Sequence, residues 1–316
     1  LLSRLWALRD DYLATGVFAA GIGLATTSLV LPVWSDDAIA YLWWGLAGLA
    51  VASGIAINQV SHRSLLRQFI DLNRKLSKIF DKYCVPSHWR IDGLQDYRES
   101  IMPSLVAHAG VVHDVGGGKL PYLGTIIPKR RGQVLIGFDI DEDELKQAPK
   151  GVCDSWVVGD IGSKRLGKPK RKADVVVCQV VLEHVQDNTL SIKNMVANTK
   201  SGGTITLFVP SRNALFARIN TVLPQGMKEN MLFGIFPEMR HAQGFPAYYH
   251  LCASSQMTQL LEDCSCEVIA RKHYYQGHYF SFFLPLHVVW RLSQAISYLF
   301  LREDSADYFC LIATKR

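Results

Sequence analysis

Carboxylates and glycines recur where apolar runs of this 316-residue chain end, at spacings that suit a nucleotide. The segment VVHDVGGGKLPYL sets Asp114 beside Gly116, Gly117 and Gly118. Glycines there let the backbone pass close to a ligand, and a following helix offers free N–H groups. In IGFDIDEDEL the next run ends at Asp139, 25 residues after Asp114. A carboxylate at that place can accept hydrogen bonds from both hydroxyls of a ribose. VVGDIG then puts Asp160 where it could receive an exocyclic amine, and a fourth run, ADVVVCQVVLEHVQD, carries Gln179, Glu183 and His184. A glycine cluster alone is a weak signal; four features in this order are far more specific.

These residues need strands that end at a common edge, and the pattern supplies them. Apolar β-type runs cover Val111–Val115, Gln133–Phe138, Val152–Val157, Asp174–Cys178, Thr204–Val209, Glu267–Lys272 and Tyr308–Ala313. Several are continuously apolar, as strands buried on both faces are. Helical patterns lie between them at Lys119–Ile127, Glu142–Ala148, Leu190–Asn198 and Ser254–Asp263. The alternation predicts an α/β fold: a Rossmann-like, doubly wound, mostly parallel seven-stranded sheet with ligands at the carboxyl ends of its strands.

With these motifs, residues 86–316 resemble the class I S-adenosylmethionine-dependent methyltransferases. The resemblance implies S-adenosyl-L-methionine as cofactor. It puts the methionine part against Asp114, Gly116, Gly117 and Gly118, the ribose against Asp139 and Ile140, and the adenine amine against Asp160 and Ile161. Gln179 would contact cofactor or acceptor. The segments Leu182–Val185 and Ser201–Asn213 resemble the branch with ubiquinone-biosynthesis O-methyltransferases, and also methyltransferases of lipid and polysaccharide pathways. The last strand would be the family's inserted antiparallel one. A nicotinamide Rossmann enzyme fits less well, because the turn lacks the third glycine of its fingerprint. The chain also departs from the family's D-x-G-x-G-x-G: Leu120 stands for the last glycine, where a Cβ could narrow the site.

Methyl transfer to a hydroxyl needs positioning and a base. His184 is the base candidate, with Glu183 beside it; both could instead begin and cap a helix. His241, Tyr248, Tyr249 and His250, in MRHAQGFPAYYHLC, could line an acceptor pocket or simply pack. They fall in a stretch, 210–250, that is long for a connection and suits an acceptor lid; its Phe, Leu and Met residues favour an apolar acceptor. No metal ligand set is recognised.

The remaining sequence divides by composition. Hydrophobic residues make up 49% and charged residues 20%, which excludes a disordered chain. Mean hydropathy is only +0.09, which excludes a polytopic membrane protein but not an average over unlike parts. Two uncharged runs, about 12–34 and 38–57, are each long enough to cross a bilayer as a helix. Residues 1–60 are therefore expected to form a two-helix transmembrane hairpin, a buried core hairpin being the alternative. Arg4 and Arg9 precede it; His62, Arg63, Arg67, Arg74, Lys75, Lys78 and Lys82 follow it. The positive-inside rule places the rest on the cytoplasmic face of a bacterial inner membrane, or on the matrix side of an organelle inner membrane.

Residues 61–85 read as an amphipathic linker helix, able to lie on anionic headgroups or to pack on the next domain. The apolar run 279–301 contains Pro285, His287, Arg291 and Gln294, so a full span is not expected. A shallow or re-entrant membrane-facing hairpin, or a helix packed on the sheet or in an oligomer interface, satisfies its position. Seven cysteines without a CxxC suggest a reducing compartment. The net charge of +6 includes basic loops at 128–131 and 164–172, with no accompanying nucleic-acid module, so no nucleic acid is expected.

Two functions follow. One is a membrane-anchored methyltransferase, with the lipid bilayer and an amphiphilic small-molecule acceptor as partners. The other is a catalytically weak or inactive methyltransferase-fold subunit or assembly factor of a membrane protein complex, whose small-residue hairpin meets other membrane proteins or a second copy.

Overall fold

The computed structural model describes residues 62–119, 121–222, 246–277 and 279–316. The expected hairpin, Leu120, His241 and most of the expected lid lie outside the described residues. Residues 1–73 and 74–316 form two compact units. The first unit's described part is the opening of helix α1 (His62–Cys84), the helix expected over 61–85. The amphipathic spacing of that helix puts Ser77 and Asp81 on a buried face.

The second unit is built on seven strands: β1 (Val111–Val115), β2 (Val134–Asp139), β3 (Ser155–Val158), β4 (Ala173–Gln179), β5 (Thr199–Pro210), β6 (Cys266–Tyr274) and β7 (Tyr308–Lys315). Their order is β3-β2-β1-β4-β5-β7-β6. The first five are parallel; β7 runs antiparallel between β5 and β6, the inserted strand expected at the chain's end. Side-chain alternation divides the strands between two cores. Val115, Phe138, Val176, Cys178, Ile205 and Leu207 face one, closed by α4 (Asn188–Ala197), α5 (Leu215–Val222) and α6 (Ser254–Asp263). Val112, Leu135, Val175, Val177 and Phe208 face the other, closed by Tyr97, Ile101 and, from α2 (Met102–Val106), Met102 and Val106. Both faces are covered, which is why the strands read as continuous apolar runs.

Three expectations are corrected. Residues 119–127 do not form a regular helix; a four-residue turn, Tyr122–Thr125, stands there, broken by Gly124 at φ 84. A Cβ at Gly124 would lie 2.8 Å from Val152 Cγ1, so close packing on β3's approach forces that turn. β3 starts at Ser155 rather than 152, because the Asp154 carboxylate leaves the ladder to accept from Leu135 N at 2.7 Å and Lys129 Nζ at 2.8 Å. Residues 279–301 make no hairpin: a turn leads into one helix, α7 (Leu284–Leu301). Its polar residues are the reason. His287, Arg291 and Gln294 fall on one face and are buried. Arg291 pairs with Asp81 of α1 through Nε–Oδ1 at 2.9 Å and Nη2–Oδ2 at 2.7 Å, and His287 Nε2 lies 2.8 Å from the same Oδ1. Burial pushes the Asp81 carboxyl upward, but the hydrogen bonds from His287 and Arg291 outweigh it, and the net shift is downward. No helix among the described residues is long and apolar enough to cross a membrane.

Candidate functional site

Parallel register brings the carboxyl ends of β1, β2 and β4 together, with Val115 opposite Phe138 and Cys178. The chain leaves β1 through Gly116 at φ 79 and Gly118 at φ 52, a region L side chains avoid. A Cβ on Gly116 would meet Val181 Cγ2 at 2.1 Å, and one on Gly118 would meet Glu144 Oε2 at 2.7 Å. A Cβ on Gly117 would stand 2.9 Å from Asp114 Oδ2. Gly118 N donates to Asp139 Oδ2 at 2.9 Å, and Asp141 N donates to Asp139 Oδ1 at 3.1 Å. Asp139 therefore fastens the glycine turn to the start of α3 (Glu142–Gln147), while each oxygen keeps a lone pair for a ligand.

Asp114 is buried and its Oδ2 has no partner. Burial, reinforced by the charge of Asp139, pushes its carboxyl up to about 7. An orphaned acceptor in a glycine-lined turn is what a ligand carrying a donor would satisfy. Asp160 follows β3, and its Oδ1 accepts from Gly162 N at 2.7 Å. Ile161 is buried beneath α4, where Asn194 Nδ2 donates to its carbonyl at 2.7 Å; Ile140 is exposed. Gln179, at the end of β4, accepts from Arg98 Nε at 3.0 Å, and the Arg98 guanidinium sits 4.6 Å above the Tyr122 ring. Sequence reading passed over Arg98 because it lies ahead of the first strand; its polar spacing carried no motif. The turn after β4 also holds Val180 at φ 55, a strained conformation for a β-branched residue.

The second half of the site lies just beyond. Leu182–His184 form one short 3-10 turn rather than the start of a longer helix. The Glu183 carbonyl accepts from Tyr248 N at 2.7 Å and Tyr249 N at 3.0 Å, so the 246–250 segment is hung on the residue next to His184. His184 Nδ1 lies 3.0 Å from the Pro246 carbonyl. A carbonyl only accepts, so Nδ1 carries a proton and donates it there. The other ring nitrogen, Nε2, is 3.6 Å from Glu183 Oε1. Glu183 is buried, its Oε2 has no partner, and desolvation pushes its carboxyl up to about 8.

His250 is placed differently: its Nδ1 accepts from Asn188 N at 3.2 Å, and Asn188 Nδ2 donates to the carbonyls of His250 at 2.6 Å and Leu182 at 2.8 Å. The Tyr248 hydroxyl accepts from Gln186 Nε2 at 3.0 Å, and Tyr249 is buried. Asn188 and Gln186 organise this loop and were invisible in the sequence, where an Asn at a helix start reads only as a cap. The strain is concentrated here too, with Tyr249 at φ 50 and Leu251 at φ 54.

A family described as a methyltransferase domain matches residues 113–207, the span from β1 through β5 that contains Asp114, Asp139, Asp160 and His184. No curated protein matches the chain. Among solved structures, an S-adenosylmethionine-dependent methyltransferase from Archaeoglobus fulgidus is similar at 16% identity, covering 75% of this chain and 99% of its own, with a TM-score of 0.45. The N-methyltransferase NodS from Bradyrhizobium japonicum aligns at 13% identity over 70% of this chain and 96% of its own, with a TM-score of 0.41. An O-methyltransferase family protein from Burkholderia thailandensis aligns at 14% identity over 80% and 60%, with a TM-score of 0.42. The chain carries a methyltransferase domain over residues 113–207.

Proposed function

We propose that this methyltransferase is tethered to a bilayer by its N-terminal apolar runs and methylates a hydroxyl of an amphiphilic, membrane-confined acceptor. The observation that carries the reading is the pair of uncharged runs, 12–34 and 38–57, placed directly ahead of the catalytic domain. A tether raises the effective concentration of enzyme at a surface its acceptor cannot leave. The basic residues that follow the second run favour the cytoplasmic or matrix face.

When bound, S-adenosylmethionine supplies an electrophilic methyl group. Asp114 and Gly116–Gly118 would hold its methionine part, Asp139 with Ile140 its ribose, and Asp160 with Ile161 its adenine amine. Arg98, held by Gln179, adds a cation beside this edge. His184 takes the acceptor's proton at Nε2, its ring fixed by Nδ1–H donating to the Pro246 carbonyl. Glu183 holds its own proton at neutral pH, and as His184 gains charge the neighbouring carboxyl ionises more easily.

The test uses membranes, the full-length protein and S-adenosylmethionine carrying a labelled methyl. Label is expected in the lipid extract, abolished by His184→Ala and by Asp139→Ala. Calorimetry should show that Asp139→Ala weakens cofactor binding while His184→Ala leaves it intact. A folded protein that binds no cofactor would favour the scaffold reading. Label appearing only in water-soluble products would exclude a lipid-like acceptor.

A further inference from the structure

Four residues of α1, Arg74, Ser77, Lys78 and Asp81, recur at i, i+3, i+4 and i+7 and so share one face of the helix. That face, with Gln276 of the loop after β6 and His287 of α7, walls a cavity of about 330 Å³. The volume is that of a small-molecule site. All the described lining residues are polar, and none belongs to the edge that holds Asp114, Asp139 and His184. Ser77 Oγ ties the loop to α1 by donating to the Ser281 carbonyl at 3.2 Å.

Buried groups set the charge this cavity offers. Arg291 is buried behind it, and every N–H of its guanidinium is engaged. Nε and Nη2 reach the two oxygens of Asp81, Nη1 reaches the Tyr275 carbonyl at 2.8 Å and Gln294 Oε1 at 3.0 Å, and Nη2 also reaches Gln276 Oε1 at 2.5 Å. Asp81, the carboxylate in the wall, is therefore already neutralised, and His287 Nε2 donates to it as well. The same arginine orients Gln276: with Oε1 taken, the amide Nε2 remains as a donor. Arg74 and Lys78, both exposed and one turn apart, add two positive charges. Two cations, an oriented amide and a carboxylate already spent on its own partner suit a dianion.

We propose that this cavity binds a phosphate monoester, as a ligand site additional to the edge proposed for methyl transfer. Arg74 pairs with two phosphate oxygens through its planar guanidinium, Lys78 contributes a point charge, and Gln276 Nε2 donates to a third oxygen. A phosphate monoester is largely dianionic at neutral pH, which matches the two cations better than a single carboxylate would. The remaining volume takes a small organic group. The monoester comes either from a water-soluble molecule or from a lipid headgroup of the phosphatidic acid type, and both present the same dianion. The site depends on neither the tether nor the methyl acceptor.

The experiment is calorimetry of the full chain in detergent, titrated with glycerol 3-phosphate. A second arm titrates it with phosphatidylcholine nanodiscs that carry phosphatidic acid or, at matched surface charge, phosphatidylglycerol, a phosphate diester. Saturable binding of glycerol 3-phosphate upholds the site and identifies a soluble ligand. Binding of phosphatidic acid in preference to phosphatidylglycerol upholds it and identifies a headgroup. Lys78→Gln should weaken the binding roughly tenfold. Gln276→Glu keeps an acceptor for Arg291 but turns the donor into a carboxylate, and should abolish it. A cooperative melting transition shows that each variant is folded, whether or not the chain binds S-adenosylmethionine. Folded protein that binds none of these probes would overturn the proposal. So would equal binding of the two anionic lipids without binding of glycerol 3-phosphate, or binding that survives both substitutions combined.

Discussion

Replacing Glu183 by glutamine should change how stability depends on pH, by an amount the structure sets. Burial pushes this carboxyl from 4.5 to about 8. The folded state therefore keeps a proton that the unfolded chain releases above about pH 4.5, and the stability this contributes is complete below that pH and lost as pH rises through 8. At about 1.36 kcal/mol per unit, the loss is about 0.8 kcal/mol at pH 5 and about 3 kcal/mol at pH 7. Glutamine keeps the shape and cannot ionise. Glu183→Gln should gain on the parent by about 2–3 kcal/mol between pH 5 and pH 7. For a domain of this size that is roughly 5–10 °C in melting temperature. The assay is thermal unfolding of both proteins without cofactor at a series of pH values. Asp114 and Asp307, both pushed by burial up to about 7, titrate in both proteins, so the difference curve isolates residue 183. Parallel curves would refute the reasoning, because they would mean that Glu183 is ionised, or exposed to water, in the folded protein.

Gly116→Ala should abolish cofactor binding in calorimetry, since its Cβ would lie 2.1 Å from Val181 Cγ2 at φ 79. Adding Val181→Ala should restore only part, because the left-handed backbone still costs about 1–2 kcal/mol. Asp81→Asn leaves Arg291 buried without its counter-charge and should cost about 3–5 kcal/mol in melting experiments. Pairing it with Arg291→Met should recover most of that loss, which a purely local packing defect would not allow. Asn188→Ala releases the Leu182 and His250 carbonyls and should lower kcat while leaving cofactor affinity unchanged.

The cofactor half of the site was legible because its signals are local. Asp114 and Asp139 stand at strand ends marked by apolar runs, and the glycines announce a turn that side chains cannot make. The antiparallel β7 was legible through its place at the end of the chain, and Ser254–Asp263 through its spacing. The acceptor half was less so. The bond from His184 to the Pro246 carbonyl, the suspension of Tyr248 and Tyr249 from Glu183, and the clasp of Asn188 on His250 all join residues more than sixty positions apart, and nothing in composition encodes such pairings. The expected helix over 119–127 failed because helical periodicity cannot register a close approach such as that of Gly124 to Val152.

Helix α7 shows how one sequence signal carries two meanings. Read as hydropathy, His287, Arg291 and Gln294 are interruptions that forbid a span. Read as spacing, they recur at intervals of four and three and share a face. Burying an ion pair is a poor source of stability, since desolvation consumes most of its attraction. Its effect here is on orientation. With leucines on the inner face, α7 would be apolar all round, free to roll about its axis or to sink into hydrocarbon. Two hydrogen bonds from the Arg291 guanidinium to Asp81 admit only one rotation, because any other leaves a buried charge unpaired. That rotation is the one in which Val289, Leu292, Ile296, Leu299 and Phe300 point away from the protein. The polar residues that stop the segment from crossing a bilayer are therefore the ones that hold its apolar face outward.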